Sequence, residues 1–282
     1  MSVVAKNVLF CEGLPEGSLD KPLLSRLMGT QLGWTIEAGG TKEGLARYAQ
    51  GYLASGEGRR WLVVRDRDFD QEPPPEPSLL PDPRTTKNVV CLWRTSVESY
   101  LLDPGLIHRY WAEGREGGRA EFRNPETRDQ IQDRIRRAAG DLVPYQSLRW
   151  ALATLRRDQP RALSNTWTEG SGHLPPKEDL RWEQGLRRAQ DLVQSARPLG
   201  LDPTAVLRLA EGFRDRFAAP SFLDSEQPLI WFSPKDLIKQ MQRQDPNLFG
   251  LQDYLAWAVG QFDPAAHRDL HELATRLQQP TP

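Results

Sequence analysis

Four short apolar runs punctuate the first hundred residues, and stretches of helical periodicity stand between them. Asn7-Val8-Leu9-Phe10-Cys11-Glu12 holds four consecutive apolar residues, bounded by Gly13 and Pro15, which is too short for a helix and right for a buried strand. Gly33-Trp34-Thr35-Ile36-Glu37, Trp61-Leu62-Val63-Val64 and Asn88-Val89-Val90-Cys91-Leu92-Trp93 repeat the pattern. Between the first two runs, Leu23, Leu24, Leu27 and Met28 recur at helical spacing after Pro22. Between the second and third, Leu45, Tyr48, Ala49, Tyr52 and Leu53 form one apolar stripe, with Thr41 as the expected cap. Strand, helix, strand, helix, strand is the order of a mostly parallel sheet covered by helices. The expected fold class is therefore α/β.

The pattern changes further along. Residues 71–86 hold six prolines and read as an exposed, irregular loop. Thr95 is placed to cap a short helix carrying Val97, Glu98, Tyr100 and Leu101. From 106 to 222 only helical stripes are found. Asn124-Pro125-Glu126 reads as one helix start, with Ile131, Ile135, Ala138 and Ala139 as its buried face. Leu148, Leu152 and Leu155 define another helix, as do Trp182, Leu186, Ala189 and Val193, and then Val206, Leu209, Phe213 and Phe217. Mixed character returns after 222. Leu229-Ile230-Trp231-Phe232 looks like a strand, Ser233-Pro234-Lys235-Asp236 opens a helix, and two more helices follow at about 250–260 and 265–277. The expected organisation is an α/β core over 1–105, an all-helical insertion over 106–222, and a return to the core over 223–282.

Charge follows the same division. The whole chain carries 37 basic and 38 acidic residues, a net of −1, but residues 106–222 are net +4 and the remainder net −5. An Arg-rich middle between acidic flanks is either a solvated face or a surface that meets phosphate, and the count does not choose. Charged residues at 27% with nine Trp exclude a disordered chain. No apolar run approaches the ~20 residues that cross a bilayer. Lys6 interrupts the apolar opening and no small-residue cleavage site follows, so no signal peptide is expected. Two cysteines, Cys11 and Cys91, each lie in an apolar run and read as reduced core thiols of a cytoplasmic protein.

Three acidic sites end the apolar runs or follow them: Glu12, then Asp66 with Asp68, then Glu98. In a parallel sheet the carboxyl ends of the strands lie along one edge, where ligands bind. Asp66 and Asp68 are two apart, so in extended chain their side chains share a face. Carboxylates so arranged suit Mg²⁺, with Mn²⁺ as its substitute, because these hard cations take oxygen ligands and work beside substrate phosphates.

Other chemistries fit this segment less well. A calcium loop counted from Asp66 needs Gly and Glu where Gln71 and Pro77 stand. A metal-dependent phosphatase using Asp66 as nucleophile resembles the haloacid dehalogenase pattern, but those enzymes carry the nucleophile on their first strand. Gly39-Gly40-Thr41-Lys42 either binds phosphate through backbone amides or is a tight turn that needs glycine. It lacks the spacing of an ATP-binding loop. His267 and His271 lie four apart without the Glu of a His-Glu-x-x-His motif, and read as surface residues.

Phe10-Cys11-Glu12-Gly13, Ala38-Gly39-Gly40-Thr41-Lys42, Asp66-Arg67-Asp68-Phe69-Asp70 and Arg94-Thr95-Ser96-Val97-Glu98-Ser99-Tyr100-Leu101-Leu102 together resemble a TOPRIM-type domain. The group most resembled is the small TOPRIM proteins related to the overcoming-lysogenization-defect nucleases, including effectors of the phage anti-restriction-induced defence type. The resemblance covers 1–105 well and 228–282 loosely, where Ser233-Pro234-Lys235-Asp236-Leu237 is similar to a Gly-Lys-x-Leu turn with Ser-Pro in place of the small residue.

This resemblance implies a TOPRIM-like sheet and a Mg²⁺-dependent nuclease that cuts phosphodiester bonds, with tRNA or other RNA favoured over DNA. It implies Glu12 as general base or metal ligand, Asp66 and Asp68 as metal ligands, and Glu98 at a second metal position. Lys235 would act in catalysis, with Lys42, Gly39, Gly40 and Arg94 beside it on the phosphate. An ABC- or AAA-type ATPase is the implied partner, in antiphage defence. A basic surface must offset the repulsion between a carboxylate cluster and nucleic acid. Arg115, Arg119, Arg123, Arg128, Arg134, Arg136, Arg137, Arg156 and Arg157 are the expected phosphate contacts. A catalytically idle TOPRIM-like docking module for the ATPase is the competing reading. The Trp and Leu residues of the helices belong to a core or to a homodimer or partner interface, and the sequence does not separate these uses.

Overall fold

The computed structural model describes residues 6–13, 18–28, 33–40, 42–54, 58–82, 88–117, 126–160, 163, 181–196, 201–245 and 251–278. The chain divides into two compact units, one of 1–67, 73–101 and 252–282, the other of 68–72 and 102–251.

The first unit is built on a five-stranded sheet in the order β2-β1-β3-β5-β4. Its strands are β1 (Lys6–Cys11), β2 (Trp34–Ala38), β3 (Gly58–Arg65), β4 (Leu80–Pro81) and β5 (Val89–Cys91). The first three and β5 run parallel, as the alternating pattern predicts, and β4 joins β5 antiparallel at the edge. Helices α1 (Asp20–Met28) and α2 (Lys42–Ala54) provide the crossovers that parallel pairing demands. Leu45 and Ala49 of α2 close over Val8, Phe10, Val63 and Val89 of the sheet, and the Phe10 ring meets Tyr48 and Tyr52 edge-on at 5.7 and 5.6 Å. Each such fully buried apolar side chain contributes about 1.5–3 kcal/mol.

The proline-rich loop departs from expectation. It carries the edge strand β4, and Leu79, Leu80 and Asp82 are buried. Proline is tolerated there because an edge strand leaves one face of its ladder without a neighbour.

Helix α3 (Glu98–Leu101) follows β5, and α11 (Leu251–Gln261) and α12 (Arg268–Gln278), separated by a 3₁₀ turn at Pro264–Ala266, complete the unit. Buried Asp269 of α12 accepts from the Trp93 N–H at 3.2 Å and from the Tyr100 hydroxyl. His267 stacks on Phe262 and meets Tyr100 edge-on, so of His267 and His271 the exposed one is His271.

The second unit is helical: α4 (Pro104–Glu116), α5 (Arg128–Asp158), α6 (Trp182–Ser195), α7 (Pro203–Ala218), α8 (Pro220–Leu223), α9 (Gln227–Trp231) and α10 (Pro234–Gln244). No strand occurs among its described residues. The two helices expected around Ile131 and Leu148 are one 31-residue helix, started by a capping box between Thr127 and Gln130. The start expected at Asn124-Pro125 and the cap expected at Thr41 lie outside the described residues.

The strand expected at 229–232 is instead helix α9. A four-residue apolar run cannot distinguish the two by period, and Pro228 presets helical φ at its first turn. Its Trp231 packs into a cluster of rings with Trp150, Phe213 and Phe217, where the Trp150 indole donates to the Trp231 carbonyl at 3.0 Å. Residues 223–251 accordingly lie with the helical unit, and 252–282 with the sheet.

Candidate functional site

Parallel pairing brings the ends of β1 and β3 side by side. Cys11 lies opposite Val64, which puts Glu12 level with Arg65 and one residue short of Asp66. The Asp66 N–H donates to Glu12 Oε1 at 3.2 Å, and Asp66 Oδ1 in turn accepts from the Val97 N–H at 3.2 Å, just before α3. Two carboxylates therefore share a corner at the carboxyl edge of the central strands, and each accepts from a backbone amide.

The neighbouring loop is clasped to this corner. Gly13 and Gly40 exchange backbone hydrogen bonds at 3.0 and 3.1 Å, and both have positive φ, +95° and +84°. A Cβ on Gly13 would also lie 2.2 Å from Ser18 Oγ, so only glycine fits. The Gly39 N–H donates to the Cys11 carbonyl at 3.0 Å. The amides of Gly39 and Gly40 are thus engaged in holding the loop, in keeping with the tight-turn alternative. Lys42 is the first residue of α2.

Cys11 has its thiol pushed up to about 12, by burial above all and then by Asp20, against the opposing charge of Lys21, with Glu12 and Asp66 adding smaller contributions. A buried cation lies beside Glu12. Arg65, 5% exposed, binds Asp82 through Nη1 and sets its Nε 3.8 Å from Glu12 Oε1. Neither Arg65 nor Asp82 was singled out from the sequence. Arg65 ends an apolar run and Asp82 sits in a stretch that reads as exposed loop; only the register, which sets Arg65 beside Glu12, carries the signal.

Glu98 opens α3, is 9% exposed, and accepts from Ser96 Oγ at 2.7 Å. Arg94 is buried in the same segment, where Nη1 donates to the Ser99 carbonyl at 2.7 Å and the guanidinium lies over the Tyr100 ring at 5.2 Å. Asp68 belongs to the helical unit and has φ of +49°, so the chain is not extended through it.

Lys235, half-buried, lies in the first turn of α10. Arg134 is 8% exposed and bound to both oxygens of Glu126 and to Asp245 Oδ2 at 3.3 Å, so its charge is spent within the helical unit. Arg136 faces Asp133 at 3.4 Å and Asp224 at 3.7 Å. Arg128 and Arg137 are exposed on α5. Arg119 and Arg123 lie outside the described residues.

Glu12 and Asp66 place hard oxygen donors at one corner, with a guanidinium beside one of them. Mg²⁺ keeps most of its waters and needs only one or two carboxylates, so the Glu12–Asp66 pair fits it. A cage of protein ligands is not offered: among the described residues no three His, Cys, Asp or Glu side chains converge to hold a metal ion. No described helix is long and apolar enough to cross a membrane. No protein-family model matches the chain, and no curated protein does.

Proposed function

We propose that the chain is a Mg²⁺-dependent nuclease of TOPRIM type that hydrolyses phosphodiester bonds, with RNA, and tRNA in particular, as the favoured substrate. The observation that carries this reading is the Glu12–Asp66 corner, two amide-aimed carboxylates at the carboxyl ends of adjacent parallel strands. A Mg²⁺ or Mn²⁺ ion held there would supply an activated water and positive charge for the leaving oxygen. Glu12 and Asp66 hold it, and the clasp between Gly13 and Gly40 keeps Glu12 from swinging away. Asp68, Glu98 and Lys235 belong to this proposal on the resemblance alone. The exposed arginines of α5 are the proposed contacts to the nucleic-acid backbone. In the proposed setting the chain is the toxic effector of an antiphage system, controlled by a partner ATPase.

The test is incubation of the purified chain with total tRNA, and separately with plasmid DNA, in Mg²⁺ or Mn²⁺. Cleavage that disappears with EDTA and in Glu12→Gln is the expected result, and the substrate cut decides between RNA and DNA. Cleavage of small phosphate esters alone would instead make the protein a phosphatase. Absence of all cleavage, even with the partner ATPase added, would make it a docking module.

A further inference from the structure

Arg65 is the last residue of β3 and stands level with Glu12 across the β1–β3 pair. Its side chain is 6% exposed and is tethered by the still more buried carboxylate of Asp82, 1% exposed. A guanidinium does not lose its proton inside a protein, so this is a permanent charge in a fixed place. Its Nε lies 3.8 Å from Glu12 Oε1, too far for a hydrogen bond but well within range of a strong charge interaction at a partly buried site. The same oxygen accepts the Asp66 N–H. Glu12 therefore has a resident cation beside it and cannot turn both oxygens elsewhere without losing that interaction.

We propose that Arg65 is a positioning residue that competes with a divalent cation for the charge of Glu12, and so sets how tightly the corner holds it. The inference rests on the metal reading above and deepens it: the corner is built to hold its ion loosely, as exchangeable Mg²⁺, rather than as a permanent structural metal. Arg65 is too buried to touch a nucleic acid, so its action passes through Glu12. Asp82 keeps the guanidinium from closing fully onto Glu12.

The experiment titrates Mn²⁺ into the full-length protein and follows free Mn²⁺ by electron paramagnetic resonance. Arg65→Gln keeps a hydrogen-bonding group toward Asp82 but removes the charge, and is expected to bind Mn²⁺ about tenfold more tightly. Arg65→Lys restores the charge and is expected to bind as the wild type does. A role in folding alone would weaken binding in both, which is the opposite sign for Arg65→Gln. If circular dichroism finds Arg65→Gln unfolded, the double variant Arg65→Gln with Asp82→Asn removes both buried charges together, and tighter binding is expected there too. Unchanged or weaker Mn²⁺ binding in a folded, charge-free variant overturns the proposal. Wild-type protein that binds no Mn²⁺, or binds it equally well as Glu12→Gln, defeats the metal reading itself and this one with it.

Discussion

Cys11 and Tyr100 of the sheet unit both hold their protons more firmly in the fold than free groups do. The thiol is pushed from its ordinary 9.0 to about 12, by burial first and then by Asp20. The Tyr100 hydroxyl is held well above its ordinary value by burial and by Asp269, to which it donates. In both cases the folded chain keeps a proton that the unfolded chain would release. Between the two values the native state binds more protons, so stability is intact below about pH 9 and falls as pH rises above it, by up to about 1.4 kcal/mol per pH unit for each group. Equilibrium unfolding in denaturant at stepped pH from 8 to 11 checks this. Cys11 and Cys91 are both buried, so neither is expected to react with a thiol reagent at neutral pH until the chain unfolds. Rapid labelling of the native protein would contradict the burial. That both cysteines are buried thiols was legible from their apolar neighbours; that Asp20, Glu12 and Asp66 all act on Cys11 was not, since they come from three separated segments.

Helix α5 separates arginines that look alike in sequence. Arg134 is locked to Glu126 and Asp245, and Arg149 is locked to Asp236 while lying over the Phe69 ring at 4.2 Å. Gln146 Nε2 adds a second donor to Asp236 at 2.8 Å. Arg149→Met would leave a carboxylate only 2% exposed without its cation, and is expected to destabilise the helical unit by about 3–5 kcal/mol in denaturant unfolding. Arg137, by contrast, is exposed. Under the proposed function, Arg137→Gln should weaken tRNA binding across sequences and lower the salt-dependence slope by about one, with unfolding unchanged. Arg134→Gln should do the reverse, costing stability first. Equal effects of the two on salt dependence would remove α5 as the nucleic-acid face. The residue types do not reveal this difference. The capping box of Thr127 and Gln130 was not read as the start of this helix, and its length was not legible either, because its middle is buried on all sides and shows no polar face to count.

At the scale of the whole chain, local pattern and long-range pairing contributed different things. Apolar runs of strand length and stripes of helical period depend on neighbours within a few residues, and they determined the mostly parallel sheet, α6, α7 and the C-terminal helices. They also placed Glu12 and Asp66 at strand ends, which is why the candidate site was legible. The same local signal misread Leu229–Phe232, where a short apolar run buried among rings has no period to report, and it treated Asp82 as exposed because proline density says nothing about what an edge strand packs against. Which strands lie side by side, and in what register, is decided by contacts between segments tens of residues apart. Only that pairing set Arg65 level with Glu12, brought Asp82 onto Arg65, and turned the glycines of two loops into a clasp. The sequence by itself determined which residues could bear charge at the sheet edge; the tertiary structure decided which of those charges face one another, because electrostatic and hydrogen-bond partners are set by spatial adjacency and not by spacing along the chain.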